Sequence, residues 1–135
     1  MVLSIVLPTD GSESALRAAR WLSQHLAERH AAVTLLHVMA PSLELAQPEG
    51  LAAARELSEK ILEDTQAALG CCPCTNAVTV IGVPHEEIVR FAVDHNADLI
   101  VMGRRGGSRL NHWIGSVSFV VFQRSPIPVT FVETE

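Results

Sequence analysis

The chain has 135 residues, of which 48% are hydrophobic and 19% charged, a balance typical of a globular domain rather than a disordered chain. Its formal net charge of −5 at pH 7 excludes a general electrostatic attraction to nucleic acid or to an anionic membrane surface. No apolar run approaches the roughly 20 residues of a membrane span and the first residues lack the basic start of a signal peptide, so we expect one cytoplasmic domain over residues 1–135.

The first half of the chain alternates short apolar runs with segments of helical periodicity. LSIVLP, at Leu3–Pro8, predicts a strand buried on both faces. The polar TDGSES that follows supplies turn and N-cap residues for a helix extending to about Arg29. A second strand is predicted over 32–38, and a second helix over 49–69 after a proline-containing loop. The expected buried face of this second helix carries Leu51, Ala54, Leu57 and Ile61.

The second half repeats the same alternation. A third strand is predicted over 77–81, and GVPHEE then opens a helix with Pro84 in its first turn that ends near His95. The remaining predicted elements are a fourth strand over 98–102, a short helix over Ser116–Arg124 and a last strand over 128–133.

This β-α-β-α-β-α-β-α-β order predicts the fold class. Strands joined by helices pair in parallel with right-handed crossovers, which gives an α/β fold with a single doubly wound five-stranded sheet and helices on both faces. We expect the strand order 3-2-1-4-5. Such sheets bind ligands beyond the carboxyl ends of the strands where the order reverses, so the segments after Pro8 and Met102 are expected to face each other across a crevice.

The stretch after the fourth strand is rich in glycine. Gly103 and Gly106 are separated by two residues, and after eight more residues Gly115 and Ser116 open a predicted helix. Glycines let backbone approach an anion closely, and a helix N-terminus offers free N–H groups. The spacing is equally consistent with an ordinary N-cap serine after a glycine turn. Both interpretations stay open on the residues alone.

Charged residues flank the predicted crevice. Asp10 would accept hydrogen bonds from a ribose or help hold a cation beside phosphates; alternatively it caps the first helix, a role that Ser12 also suits. Arg104, Arg105 and Arg109 would clamp a phosphate or belong to a solvated loop, and the second interpretation is favoured for any single arginine.

Cysteine and histidine patterns favour binding over catalysis. Cys71, Cys72 and Cys74 are crowded into CCPC, and a zinc site needs ligands beyond these thiols, so we expect loop cysteines rather than a metal or redox centre. His37 lies within a buried type of strand and is expected to be a hydrogen-bonded core residue. No G-x-S-x-G elbow positions a serine nucleophile.

Four stretches are distributed over most of the chain, namely IVLPTDGSESALRAA, VTLLHV, GVPHEEIVRFAVDHNADLIVMGRRG and GSVSFVVFQRSPIPVTFV. In this order they resemble the first strand and helix, the second strand, the third and fourth units, and the closing helix and strand of the universal stress protein family. The resemblance implies an adenine-nucleotide-binding α/β fold, commonly a homodimer, and places the chain in the ATP-binding subgroup that carries the signature G-2x-G-9x-G-[ST].

The resemblance also implies a set of nucleotide-binding residues and ligands. ATP or AMP is the implied cofactor, with Mg²⁺ as a further partner beside Asp10. Pro8, Thr9 and Asp10 would flank the adenosine, the backbone of Val38 would meet adenine, Met102, Gly103, Arg105 and Gly106 would line the phosphate loop, and Gly115, Ser116, Val117 and Ser118 would hold the phosphates.

One feature departs from the family signature. Eight residues rather than nine separate Gly106 from Gly115, a change that re-aims the amide groups of the loop. The predicted function is a nucleotide-dependent stress-response regulator with at most slow ATP hydrolysis. The alternative that the shorter loop supports is a dimeric interaction module of the same fold without nucleotide binding.

The last strand predicts the dimer contact. Ile127, Val129 and Phe131 form one apolar face of IPVTFVE and Val132 the other, and this strand is expected at an edge of the sheet. An uncovered apolar edge favours pairing with another chain, so we expect a homodimer formed through the C-terminal strands.

Overall fold

The computed structural model describes residues 2–26, 31–70, 74–104 and 114–133. Helices and strands alternate along these ranges, with one short 3₁₀ helix at Leu43–Ala46 that the sequence pattern did not predict. The strands are β1 (Leu3–Pro8), β2 (Ala31–Met39), β3 (Cys74–Ile81), β4 (Leu99–Gly103) and β5 (Val129–Val132), and the helices are α1 (Glu13–His25), α2 (Pro48–Leu69), α3 (Pro84–Asp94) and α4 (Ser116–Arg124).

The five strands form one parallel sheet in the order β3-β2-β1-β4-β5, as predicted. The apolar β1 is the central strand. It pairs with β2 from Leu3 to Pro8, and with β4 through Ile5 and Val6. Chain order reverses at β1, because β2 lies on one side of it and β4 on the other.

Helices cover both faces of the sheet, and alternate residues of β1 belong to different halves of the core. Ile5 and Leu7 pack with α1 and with the end of α2, whereas Val6 packs with α3 and α4. The period of two along a strand places neighbouring side chains on opposite faces, so a central strand covered on both sides must be apolar throughout. The prediction of a doubly buried first strand is confirmed.

Two element boundaries differ from the predictions, one because a helix ends earlier and one because a strand begins earlier. The first helix ends at His25 rather than near Arg29, and Leu26 is its C-cap, with its N–H donating to the carbonyl of Leu22. β3 begins at Cys74 rather than Ala77, because pairing with β2 extends the ladder through residues without an apolar pattern.

The predicted buried face of the second helix is wrong at Leu57. That side chain is 61% exposed, while the neighbouring Ser58 is 1% exposed. The buried residues of α2 are Ser58, Thr65 and Leu69, which lie on one side of the helix. Two of the three are polar, so an assignment based on apolar spacing chose Leu57 in place of its neighbour Ser58, while the predicted Leu51, Ala54 and Ile61 are part-buried.

The described part of the structure contains neither a membrane-spanning helix nor a cluster of metal ligands. No helix within the described ranges is long and apolar enough to cross a membrane. The same ranges contain no group of three or more His, Cys, Asp or Glu arranged to hold a metal ion. Cys71 and Cys72 lie outside those ranges, so the cysteine hypothesis stays a prediction.

Leucine truncations on α2 test this orientation. Leu69→Ala is expected to lower the free energy of unfolding by about 2–5 kcal/mol, because it opens a cavity in the core. Leu57→Ala, the matched control in the same helix, is expected to change it by less than about 0.5 kcal/mol. Urea denaturation of both variants measures the difference, and comparable losses would contradict the orientation.

Candidate functional site

A crevice lies at the carboxyl ends of β1 and β4, where the strand order reverses. It encloses about 400 Å³. Its walls come from the turn after β1, the end of β2, the first turns of α3 and α4, and the end of β4. Parallel sheets open at this point because the connections from neighbouring strands leave toward opposite faces.

Buried hydroxyl groups hold the turn after β1 in place. The hydroxyl of Thr65 donates to the carbonyl of Ile61 at 2.8 Å, and its oxygen lies 2.8 Å from the Thr9 hydroxyl. Because the Thr65 proton is committed to Ile61, the Thr9 hydroxyl donates to Thr65. The N–H of Gly11 in turn donates to the Thr9 oxygen at 3.1 Å. This chain of hydrogen bonds ties the β1–α1 turn to α2.

The same turn presents Asp10 at the mouth of the crevice. Gly11, at φ +79°, has the left-handed backbone conformation that glycine adopts without strain. The Asp10 carboxylate accepts the N–H of Ser12 at 2.9 Å, and the Ser12 hydroxyl oxygen accepts the N–H of Ala15 at 3.3 Å. Ser12 is therefore the N-cap of α1, and the alternative of Asp10 as that cap is wrong. Asp10 is left as an exposed carboxylate beside the crevice.

Gly103 is required by packing at the end of β4. A Cβ atom at this position would lie 2.2 Å from the Ser14 hydroxyl oxygen and 2.7 Å from the Ser14 carbonyl oxygen. The first turn of α1 consequently approaches β4 as closely as backbone permits. The carbonyl of Gly103 accepts the hydroxyl of buried Ser118 at 2.9 Å, which fixes α4 against the same strand end.

The N-terminus of α4 faces the crevice. Gly115 is its N-cap, and no side chain caps the helix, so the interpretation of Ser116 as an ordinary N-cap is wrong. The amide groups of the first helical turn have no carbonyl partner within their own helix, and the helix dipole places partial positive charge there. Ser116, Val117 and Ser118 line the crevice at this end, so the partial positive charge of the helix terminus faces the crevice.

His37 has both a structural and a crevice-facing role. Its Nδ1 lies 2.7 Å from the Ser58 hydroxyl, which lies 2.6 Å from the Thr79 hydroxyl, so the predicted hydrogen-bonded histidine is confirmed. The ring is only half-buried and lines the crevice. Burial lowers the pKa of His37 below its ordinary value of 6.5, while the negative charge of Asp10 acts in the opposite direction.

Most residues predicted for the site meet around this one crevice. Of the twelve, Arg105 and Gly106 lie outside the described residues. The other ten all line it, namely Pro8, Thr9, Asp10, Val38, Met102, Gly103, Gly115, Ser116, Val117 and Ser118. Their convergence follows from the fold, because the segments after β1 and β4 meet where the strand order reverses.

The crevice also includes residues that the predicted site did not contain. Leu36, His37, Pro84, Ile88, Ser12 and Ala15 complete its lining. Pro84 and Ile88 come from α3, which follows the edge strand β3, and no local motif indicates that α3 reaches the crevice. The one signal available was the helical spacing of the apolar residues Ile88, Phe91 and Ala92.

Arg104 is oriented by an acidic neighbour at the end of β5. Its guanidinium donates to the Glu133 carboxylate at 2.7 Å, and it is absent from the crevice lining. Arg105 and Arg109, the other two candidate phosphate clamps, lie outside the described residues.

Comparison with known proteins identifies relatives over nearly the whole chain. A model of the universal stress protein family matches residues 1–133. A universal stress protein from the QAH/OAS sulfhydrylase 3′ region of Thermus aquaticus is 34% identical over 137 aligned positions, which cover 98% of this chain and 99% of that protein.

Solved structures give the same relationship. The structure of MJ0577 from Methanocaldococcus jannaschii has a TM-score of 0.81 and 31% identity, covering 98% of this chain and 96% of that one. A universal stress protein in complex with cAMP has a TM-score of 0.73 and 28% identity, covering 98% of both chains.

Removing one member of the buried hydroxyl chain tests its contribution. Thr65→Val keeps the side-chain shape but leaves the Thr9 hydroxyl without its acceptor, so we expect the free energy of unfolding to fall by about 1–3 kcal/mol. Thr34→Val in β2 is the chemical control, expected to change it by less than about 0.5 kcal/mol. Chemical denaturation measures the free energy of unfolding of both variants. A loss in Thr65→Val no larger than that in Thr34→Val would show that the chain of hydroxyls is dispensable.

The lowered pKa of His37 predicts a pH dependence of stability. As pH falls through 6.5, the unfolded chain binds a proton at this residue before the folded chain does, so acid lowers the free energy of unfolding. The contribution is complete above 6.5 and is lost between 6.5 and the lower pKa of the folded state. His37→Asn is expected to flatten the pH dependence between pH 7.5 and 5.5, measured by urea denaturation. Parallel curves for the two proteins would refute this assignment.

Proposed function

The chain belongs to the universal stress protein family, and from that premise we propose that the crevice between β1 and β4 binds an adenine nucleotide, ATP or AMP. The proposal assigns the protein a regulatory role in the stress response, in which the bound nucleotide sets its state. The observation that carries it is that Asp10 and the α4 N-terminus line one crevice of about 400 Å³.

The two ends of the crevice differ in chemistry in the way a nucleotide requires. Leu36, Val38 and Ile88 supply apolar walls, suited to the faces of a purine ring. Val38 would also present backbone to the edge of the base. The base therefore belongs at this end.

The polar end suits ribose and phosphate. The exposed carboxylate of Asp10 would accept hydrogen bonds from ribose hydroxyls. The amides at the start of α4 would donate to phosphate oxygens, as helix N-termini commonly do. Since the Ser118 hydroxyl donates to Gly103, this residue would serve a phosphate through its N–H group. The phosphate-loop roles of Arg105 and Gly106 stay predictions from the resemblance.

The similarity to a universal stress protein solved with cAMP supports this choice of ligand, because cAMP combines the same base with a phosphate. With ATP, Asp10 would lie near a phosphate-bound Mg²⁺, for which a carboxylate oxygen is a suitable ligand. Asp10 is assigned here to the ribose and the cation, and the Nδ1 of His37 is bonded to Ser58, so hydrolysis would be slow at most.

We also propose a cytoplasmic homodimer joined through the C-terminal strand. β5 is an edge strand, and Ile127, Val129 and Phe131 are only partly buried where they pack on the core. The ring of Phe131 lies 6.3 Å from that of Phe122, which is 63% exposed. A partner chain would cover this apolar edge.

A second candidate function is a dimeric interaction module that does not bind nucleotide. The eight-residue separation of Gly106 from Gly115 favours it, since a shorter loop changes where its amides point. Direct measurement of binding separates the two functions.

Nucleotide binding is tested by titrating the purified protein with AMP, ATP and adenosine in a calorimeter. Ser116→Pro removes one amide at the first position of α4, where proline is accepted. The preceding Gly115 already has the extended conformation, φ −66° and ψ 159°, that a following proline requires. We expect this variant to weaken AMP binding at least tenfold, as the loss of a charge-assisted hydrogen bond does, and to leave adenosine binding unchanged.

Ser116→Ala is the matched control, because it removes the hydroxyl but keeps the amide. Unaltered AMP affinity in Ser116→Pro would show that phosphate does not bind at α4. A wild-type protein that binds none of the three compounds at millimolar concentration would overturn the nucleotide proposal and leave the interaction module.

A further inference from the structure

One ring nitrogen of His37 has no assigned role in the crevice. Nδ1 lies 2.7 Å from the hydroxyl of Ser58, a residue that is only 1% exposed. The ring itself is half-buried and lines the crevice. Because Nδ1 is committed to the core, Nε2 is the nitrogen that is left to serve a ligand.

Two hydroxyl groups behind Nδ1 suit both protonation states of the ring. The oxygen of Ser58 lies 2.6 Å from that of Thr79, and a hydroxyl donates one hydrogen bond while it accepts another. Beside a neutral ring, Thr79 can donate to Ser58 and Ser58 to Nδ1. Beside an imidazolium, the Nδ1–H donates to Ser58 and Ser58 donates to Thr79. Nδ1 is therefore hydrogen-bonded in either state, without movement of a heavy atom.

Few charged groups surround this ring. Among the described residues that line the crevice, Asp10 is the one acidic or basic side chain besides His37, and the parts of α3 and α4 that line it are uncharged. Arg55 and Glu59 of α2 line a separate, smaller cavity together with Ser58. Their charges are opposite, and Asp10 is the charged group that shifts the pKa of His37.

Negative charge in the crevice already acts on His37. Burial lowers the pKa of the ring more than the charge of Asp10 raises it, so the ring is neutral at pH 7. A bound phosphate would add negative charge to the same crevice of about 400 Å³. A sphere of that volume is about 9 Å across, and two charges at this separation near a protein surface change an equilibrium several-fold.

We propose that His37 is a ligand-binding residue of the crevice, which takes up a proton from solvent when the anionic part of an adenine nucleotide binds. The imidazolium then donates from Nδ1 to Ser58 and presents Nε2–H to the crevice. This inference rests on the proposed nucleotide binding and adds its regulation by pH. Because coupling between two bound species is reciprocal, a nucleotide that strengthens proton binding is itself bound more tightly as the pH falls.

The first measurement follows the ring resonances of assigned His37 by NMR from pH 8 to 5.5, without ligand, with AMP and with adenosine, and without divalent cations. We expect AMP to raise the proton affinity of His37 by about threefold or more. Adenosine lacks the charge and is expected not to raise it. His95, at the end of α3 away from the crevice, is the internal control, and its resonances should follow the same curve in all three samples.

Calorimetry gives the reciprocal measurement. Between pH 8 and 5.5, the ratio of AMP affinity to adenosine affinity is expected to rise about threefold more in the wild type than in His37→Asn. The phosphate of AMP itself titrates in this range, and the comparison removes that contribution because it is the same for both proteins. The NMR measurement uses only wild-type protein, so it decides the question even where the variant is unstable.

Two results would overturn this inference and leave nucleotide binding in place. One is AMP that binds without raising the proton affinity of His37, and the other is adenosine that raises it as much as AMP does. A wild-type protein that binds AMP at neither pH would overturn both this inference and the proposed function.

Discussion

The reversal of strand order at β1 is the constraint on which the rest of the structure depends. β1 pairs with β2 on one side and with β4 on the other, and the helices that follow β1 and β4 pack on opposite faces of the sheet. The two connections therefore diverge and leave a crevice between them. That opening brings together Asp10 and Ser116, which are more than a hundred positions apart in the sequence.

Close backbone packing fixes the elements on either side of the opening. Gly103 allows the first turn of α1 to approach the end of β4. The hydroxyl of Ser118 donates to the carbonyl of Gly103 and so attaches α4 to the same strand end. The α4 N-terminus and Asp10 are thus held by groups that do not themselves need a ligand. Under the proposed function, a site prepared in this way would lose little conformational entropy on binding nucleotide, which would favour affinity.

Buried polar groups on α2 complete the frame. Thr65 holds the turn that carries Asp10, and Ser58 holds His37. Both are nearly inaccessible to solvent, and within the described part of the chain no buried side-chain polar atom lacks a hydrogen-bond partner. These residues interrupt the apolar pattern of α2, which explains why its spacing misled the assignment of Leu57. A local departure from binary patterning here marks the helix that supports the site.

The sequence by itself determined the element order, the parallel sheet and most of the crevice, because apolar runs and turn residues are local signals and right-handed crossovers leave few topologies. It also located Asp10 and Ser116 through the rule that ligands bind at the reversal of strand order. Tertiary structure alone decided that Ser12 rather than Asp10 caps α1, that Ser58 rather than Leu57 faces the sheet, and that α3 contributes Pro84 and Ile88. The cap depends on which of two local hydrogen bonds forms, whereas the other two outcomes depend on contacts between segments distant in the chain. The free energy of such distant contacts has no counterpart in local spacing.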